Sequence, residues 1–341
     1  MNTVTRIRLA SHLLSGTHCQ TPEGVVAWMG AMQSQDYNAA KMAINIRLQN
    51  CTEQIVETTF NQGKILRTHV LRPTWHFVSP ENIRWMLSLS AARIKSSAFS
   101  RDRDLEINEE LYSRTNNIIQ KILEGGKHLT REVIGIELEK CSINVNSARL
   151  VHFLMRAEVE GIVCSGALQG KNQTYALLDE RAPSVPALHK EEALTKLSRL
   201  YFQSHSPATL QDFVWWSGLS QTEANLGLNN IKHELISEKI ENQTYWFLES
   251  YKNIPDIKNS CLLLPAFDEY IIAYRDRSPI LLPEHQSKAI SSNGIFRPVI
   301  LVNGQVVGLW KKTSQKKTPL IFDFFETEGI DLIKKIMHLS L

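Results

Sequence analysis

The chain has 341 residues, 43% of them hydrophobic and 21% charged, with a formal net charge of +3. That length is too great for one small core and suits several modules. No run of about 18 apolar residues occurs, so a helical membrane span is not expected, and so small a net charge neither demands nor excludes a polyanionic partner.

In chain order, Met1 to Leu14, with Arg6 and Arg8, reads as a first helix and not as a signal peptide. Helices are expected near Arg6–Leu14, Pro22–Met32, Ala39–Leu48 and Glu53–Asn61. A hairpin follows from Ile65–Val70 and Trp75–Val78, turning at Leu71-Arg72-Pro73-Thr74. Pro80 opens an appended helix through Ile94. A second unit begins with a helix from Asn108 to Leu123, ended by Gly125-Gly126. Thr130 caps a helix through Lys140, and Asn146 or Ser147 starts another to Glu160. Ile162–Cys164 and Thr174–Leu178 form a wing around Gly170-Lys171-Asn172. Pro183 to Leu188 is the expected linker. In the third unit Pro207 opens a helix through Trp216. Gly218 makes the turn, and Ser220 with Glu223 forms a capping box on the next helix. Leu235–Ile240 and Thr244–Leu248 make its wing, joined through Glu241-Asn242-Gln243. Helices followed by a hairpin wing are the winged-helix variant of helix-turn-helix. Past Pro255 the texture is strand-like, at Cys261–Leu264, Phe296–Val302, Gln305–Trp310 and Leu320–Phe325, with an Asn303-Gly304 hairpin turn. The class is therefore α+β: winged helices over 1–104 (with the appended helix), 105–185 and 186–255, then a β-rich domain over 256–341.

The five cysteines, Cys19, Cys51, Cys141, Cys164 and Cys261, are scattered and form no CxxC pair. This argues for reduced thiols, a cytoplasmic location and no cysteine-built zinc site. No phosphate loop, GxSxG or HExxH occurs, so no nucleotide cofactor and no metal is expected.

Gln33 and Gln35 stand two residues apart at the end of an apolar helical run. On an extended segment they would share one side; on a helix they would diverge. If both serve one cleft, the helix stops near Met32 and the chain runs extended. Amides are neither strong acids nor strong bases, but they hold water and offer lone pairs to a developing cation. The competing reading has both glutamines bonded to backbone at a helix end.

For DNA contact, Arg149, His152 and Arg156 recur on one face of a helix, opposite Leu150, Phe153, Leu154 and Ala157. A solvated protein-binding face fits the same pattern. Arg67, His69, Arg72, Trp75 and His76 crowd the first hairpin, whose Arg-Pro tip suits a groove probe or wedge. Two histidines alone are weak metal ligands, and a buried, backbone-bonded ring is the competing fate. Lys171 tips the second wing. Arg84, Arg93, Lys95, Arg101 and Arg103 form one basic cluster, and Lys311, Lys312, Lys316 and Lys317 another. Asp268 and Glu269 are adjacent, so they point apart and do not flank one bond. They read as structural, with Arg275 or Arg277 as partners. Trp215-Trp216 reads as core.

Several strings then carry a resemblance. They are Gly30-Ala31-Met32-Gln33-Ser34-Gln35-Asp36-Tyr37, Arg72-Pro73-Thr74-Trp75-His76-Phe77-Val78 and Tyr175-Ala176-Leu177-Leu178-Asp179-Glu180-Arg181. They continue with Pro207-Ala208-Thr209-Leu210-Gln211-Asp212-Phe213, Trp215-Trp216-Ser217-Gly218-Leu219 and Leu263-Leu264-Pro265-Ala266-Phe267-Asp268-Glu269-Tyr270. In order, they resemble the bacterial winged-helix DNA-binding proteins of the AlkZ and YcaQ DNA glycosylase superfamily, over nearly the whole chain. The resemblance implies tandem winged helices closing around double-stranded DNA, and a monofunctional glycosylase that excises bulky alkylated purines or unhooks interstrand crosslinks. It implies Gln33 and Gln35 as the catalytic glutamines. Ser34 departs from the apolar residue usual between them. YcaQ-type members carry aspartate at the second position, so Gln35 fits the AlkZ-like branch. The alternatives are a non-catalytic winged-helix regulator and a protein-interaction scaffold.

Overall fold

The computed structural model describes residues 2–16, 18–240, 242–255, 260–313 and 320–326. Lys316, Lys317 and Glu241 lie outside them.

The first unit holds α1 (Thr3–Ser11), α2 (Pro22–Met29), α3 (Tyr37–Asn45) and α4 (Glu53–Asn61). Side-chain oxygens of Asn2, Thr21, Asp36 and Thr52 each cap one of these helices. Helix α2 stops earlier than its apolar run suggests. Gly30 takes φ 75° and ψ −55°, a conformation that side chains resist, and a Cβ there would sit 3.3 Å from Leu200 Cβ. The chain leaves as β1 (Ala31–Gln33), which pairs antiparallel with β3 (Trp75–Val78). With β2 (Leu66–His69) this gives a three-stranded sheet in the order β1-β3-β2, where a hairpin alone was expected. Helix α5 spans Ile83–Asp104, starting after Pro80 and running well past Ile94.

The second unit is α6 (Glu109–Leu123), β4 (Leu129–Thr130), α7 (Arg131–Lys140), α8 (Ser147–Val159), β5 (Val163–Ser165), β6 (Thr174–Leu177) and the short α9 (Leu178–Arg181). Its sheet order is β4-β6-β5. The third unit opens with α10 (Lys190–Ser204), a helix not among the expected elements. Pro207 does not open the next helix. Thr209 caps α11 (Leu210–Ser217) through a capping box with Asp212, two residues later. Ser220 and Glu223 cap α12 (Gln221–Ile231) as expected, and β7 (Leu235–Ile240) pairs with β8 (Gln243–Leu248).

The C-terminal part contains β9 (Cys261–Leu264), α13 (Glu269–Ile272), α14 (Gln286–Ala289), β10 (Val299–Val302), β11 (Gln305–Lys312) and β12 (Leu320–Phe324). The four strands form one antiparallel sheet, β12-β11-β10-β9. At its turn Asn303 and Gly304 have φ 48° and 79°, the positive values that a two-residue hairpin requires. Tandem winged helices with a β-rich C-terminal domain are thus the architecture. No helix among the described residues is long and apolar enough to cross a membrane.

The cores do not respect chain order. Leu66, Val70, Val78 and Trp85 of the first unit share a cluster with Tyr201, Phe213 and Trp216 of the third. Leu9 and Leu14 join Leu264, Tyr270 and Val299 of the C-terminal part. The second unit keeps its own core around Phe153 and Leu154. One buried ion pair bolts the first unit to the last. Arg47 Nη1 and Nη2 each lie 2.8 Å from an Asp268 carboxylate oxygen, and both side chains are fully buried. Arg47 also donates to the carbonyls of His12 and Ala43. This bidentate geometry satisfies the guanidinium inside the protein, and it corrects the expectation of Arg275 or Arg277 as the carboxylate partner. Those two instead donate to Gln211 and to the Ile271 carbonyl.

Removing one member of such a pair strands a buried charge. Asp268→Ala is expected to cost about 3–5 kcal/mol of stability. Chemical unfolding of the variant beside the parent measures it, and an unchanged midpoint would contradict the role given to this pair.

Candidate active site and DNA interface

The segment from Gln33 to Gln35 sits where three elements meet. Along β1 the backbone N–H groups alternate in direction. Ser34 N–H donates to the Trp75 carbonyl of β3 at 2.8 Å. Gln33 N–H points off the sheet edge, and there it donates to Glu269 Oε1 at 2.6 Å. On the same carboxylate, Oε2 accepts from Trp216 Nε1–H at 3.1 Å and lies 3.6 Å from His205 Nε2. Burial alone would push the Glu269 carboxyl up, but His205 and the Gln33 N–H hold it below its ordinary value. From the other side of the sheet, Arg67 Nε donates to the Ser34 carbonyl at 3.0 Å and Nη2 to the Gln35 carbonyl at 3.4 Å. Its guanidinium lies 4.4 Å from the Trp75 ring centroid.

Gln33 faces His76 across β1 and β3, so the two side chains share one face of the sheet. Ala31, two residues before Gln33, marks that face as the one packed in the cluster containing Trp216. Gln33 is 7% exposed, and its Oε1 is enclosed with no hydrogen-bond partner. Gln35 is exposed. The pair therefore does not present two equally open amides, a departure from one cleft lined by both. His76 is buried, with Nδ1 2.9 Å from the Thr74 carbonyl. Burial, with Arg72 nearby, pushes its pKa down to about 4, so near neutral pH Nδ1–H donates and Nε2 keeps a lone pair. That Nε2, like Arg72 Nε and Nη2, is enclosed without a partner.

A groove runs past the start of α3. It is lined by Asp36, Asn38, Met42, Glu53, Lys311 and Lys312, with Lys312 Nζ 3.9 Å from Glu53 Oε1. Asp36 adjoins the exposed Gln35, so strand β11 brings two lysines toward that residue.

Most cations expected on DNA are used inside the protein. Arg149 is 8% exposed and donates to the Leu105 carbonyl. His152 Nδ1 meets Asp102 Oδ1 at 2.5 Å. Arg156 is bonded to Glu160 and Glu109. This face of α8 is a seam with α5 and α6, and the expectation of a phosphate-facing surface fails there. The first hairpin is likewise docked rather than projecting. His69 is buried against Glu158 of α8, which also accepts from Trp75 Nε1–H. Its turn lies on the third unit, where a Cβ on Gly218 would come 2.9 Å from the Leu71 carbonyl. Gly218, at φ 67°, permits that approach. Arg72 is half-buried there, and only Pro73 in the turn stands exposed. A wedge or groove probe needs a free tip, so that reading is corrected. Arg84 pairs with Asp179 at 2.8 Å and reaches the Pro183 carbonyl. Lys171 is exposed at the wing tip. Trp216 is core, but Trp215 is 41% exposed.

Sequence reasoning read Glu269 only as structural and did not single out His205. Adjacency showed only that Asp268 and Glu269 diverge. Nothing local marks which distant groups they meet.

Tandem winged helices, with the amide-bearing segment on the first unit's sheet edge held by Glu269, which also bonds Trp216 of the third unit, define a winged-helix protein. The profile of the AlkZ-like DNA glycosylases matches residues 26–321, and the chain belongs to that family. It is 21% identical over 328 residues to the interstrand DNA cross-link repair glycosylase of Streptomyces sahachiroi, covering 91% of this chain and 87% of that one. The solved structure of Streptomyces sahachiroi DNA glycosylase AlkZ superposes with a TM-score of 0.80 at 20% identity, covering 98% of this chain and 94% of the other.

Arg156→Met is expected to lower stability by roughly 1 kcal/mol, because the hydrogen bonds to Glu160 and Glu109 and the packing of the guanidinium on the Tyr112 ring are lost, while duplex affinity per folded molecule stays at the parental value. Unfolding curves and a binding titration on the same preparation check both. Lost affinity with unchanged stability would restore the phosphate reading of α8.

Proposed function

We propose that the chain hydrolyses the N-glycosidic bond of cationic, bulky N-alkylated purines in double-stranded DNA, and that it unhooks interstrand crosslinks of that chemistry. The observation carrying this reading is the pinned segment itself. An exposed Gln35 and an enclosed, unpaired Gln33 carbonyl oxygen lie two residues apart on backbone held from both edges. A purine alkylated at N7 is already positively charged, so it leaves without a general acid. What remains is to place a water at C1′ and to stabilise an oxocarbenium-like sugar, which is positional and electrostatic work. Gln35 supplies the accessible carbonyl that orients the water. Gln33 supplies a lone pair in a dry setting, where its interaction with developing positive charge is stronger than in water. Neither role asks for a lysine nucleophile. The family membership and the name of the Streptomyces sahachiroi relative support the substrate class.

For the duplex we propose a track along the exposed Lys311 and Lys312 beside Asp36, with Lys171 as a further contact. The cations that pin α8 and the first hairpin are left out of it.

Gln35→Ala is expected to slow single-turnover release of N7-alkylguanine by on the order of a hundredfold, with duplex affinity retained, because a preorganised contact to the transition state is lost. A parental rate in this variant, or no base release by the parent, would count against the assignment; the second result would favour a non-catalytic regulator. Duplex affinity is expected to fall with salt, and Lys311→Ala with Lys312→Ala to reduce the slope of log K against log salt by about 2. A slope equal to the parent's would remove these lysines from the interface.

A further inference from the structure

We propose that Glu269 is a positioning residue for base excision, gripping Gln33 by its backbone N–H while Arg67 grips the Ser34 and Gln35 carbonyls from the opposite side. The inference rests on the excision reading above and adds to it the parts that aim the two amides.

The geometry has four components. First, β1 is an edge strand, and the outward N–H of Gln33 would be an unpaired donor at a buried position. Glu269 Oε1 takes it at 2.6 Å, in place of a neighbouring strand. Second, the carboxylate is itself fixed. Trp216 Nε1–H holds Oε2 at 3.1 Å, and Asp268, one residue earlier, is locked to Arg47. Third, Arg67 crosses β3 to reach two successive carbonyls, and the Trp75 ring beneath its guanidinium limits its swing. A planar guanidinium can hold both carbonyls at once, which an ammonium on a flexible stem does not. Fourth, the side chain at the centre, Gln33, leaves its Oε1 unbonded. Backbone contacts thus do the holding, and the functional oxygen stays unspent.

Arg67 is thereby a part of the protein's own frame and not a DNA contact. Glu269 also links the segment bearing the amides to the third winged helix, through Trp216 of α11. Neither residue touches the reacting atoms in this scheme.

The test compares the full-length parent with Glu269→Gln and Arg67→Met. Single-turnover release of N7-methylguanine from a duplex is measured at saturating protein, normalised to the folded fraction, beside duplex affinity at several salt concentrations. A neutral glutamine offers one acceptor oxygen to two donors, Gln33 N–H and Trp216 Nε1–H. Its bound-state rate is expected to drop on the order of a hundredfold, the scale of a misplacement of about 1 Å. Affinity should remain parental. Arg67→Met should lower the rate in the same way and leave the salt slope unchanged, whereas loss of a phosphate-bound arginine reduces that slope by about 1. A folded Glu269→Gln that releases base at the parental rate overturns the proposal. So does Arg67→Met with a flattened slope and a parental rate. Should Glu269→Gln fail to fold, Arg67→Met decides alone by these two readouts. A parent that releases no base removes the excision reading and this inference with it. An active parent with unimpaired variants removes this inference only.

Discussion

Two adjacent buried carboxylates tie the molecule together. Asp268 and Glu269 point apart, as neighbours do, and each ends on a different part of the first unit. Asp268 meets Arg47 at the end of α3, and Glu269 meets the last residue of β1. The stretch from the end of β1 through α3, which contains Gln35 and Asp36, is therefore held before it by Glu269 and just past it by Asp268, more than 220 residues away in sequence. Burying two anions is costly unless both are fully bonded. Here Arg47 saturates one, while two N–H donors and a nearby histidine hold the other. Loss of the C-terminal unit's grip would release the segment that carries the amides.

The same economy explains the fate of the cations. The second unit keeps a core of its own, and charged side chains fill the joints between it and the first unit. Arg156, His152 and Arg149 lock α8 to α5 and α6. His69 and Trp75 dock the first hairpin on Glu158. Arg84 holds the segment after the second wing to α5. A cation used this way is already neutralised and desolvated, and it has little left for a phosphate.

Much of this fold was legible in the sequence because its signals are local. Ser220 with Glu223, Thr130 before α7 and Asn303-Gly304 each act within a turn of chain. Other features depend on distant partners. The apolar run through Met32 reads as helix, yet Gly30 turns left-handed and β1 pairs with a strand more than 40 residues on. Pro207 mimics a helix start, while Thr209 and Asp212 form the actual cap. Helical periodicity placed Arg149, His152 and Arg156 on one face correctly, but periodicity does not distinguish solvent from a neighbouring module. The spacing of Gln33 and Gln35 marked the segment of interest. It carried no sign of Glu269, whose role exists only once the third unit and the C-terminal part are folded against the first.

The proposed excision depends above all on direct attack of water at C1′, guided by backbone-pinned amides. Excision of N7-methylguanine from a duplex with borohydride present is the deciding measurement. Direct attack gives free base and no protein trapped on DNA. A borohydride-stabilised protein–DNA adduct formed in step with base release would contradict it.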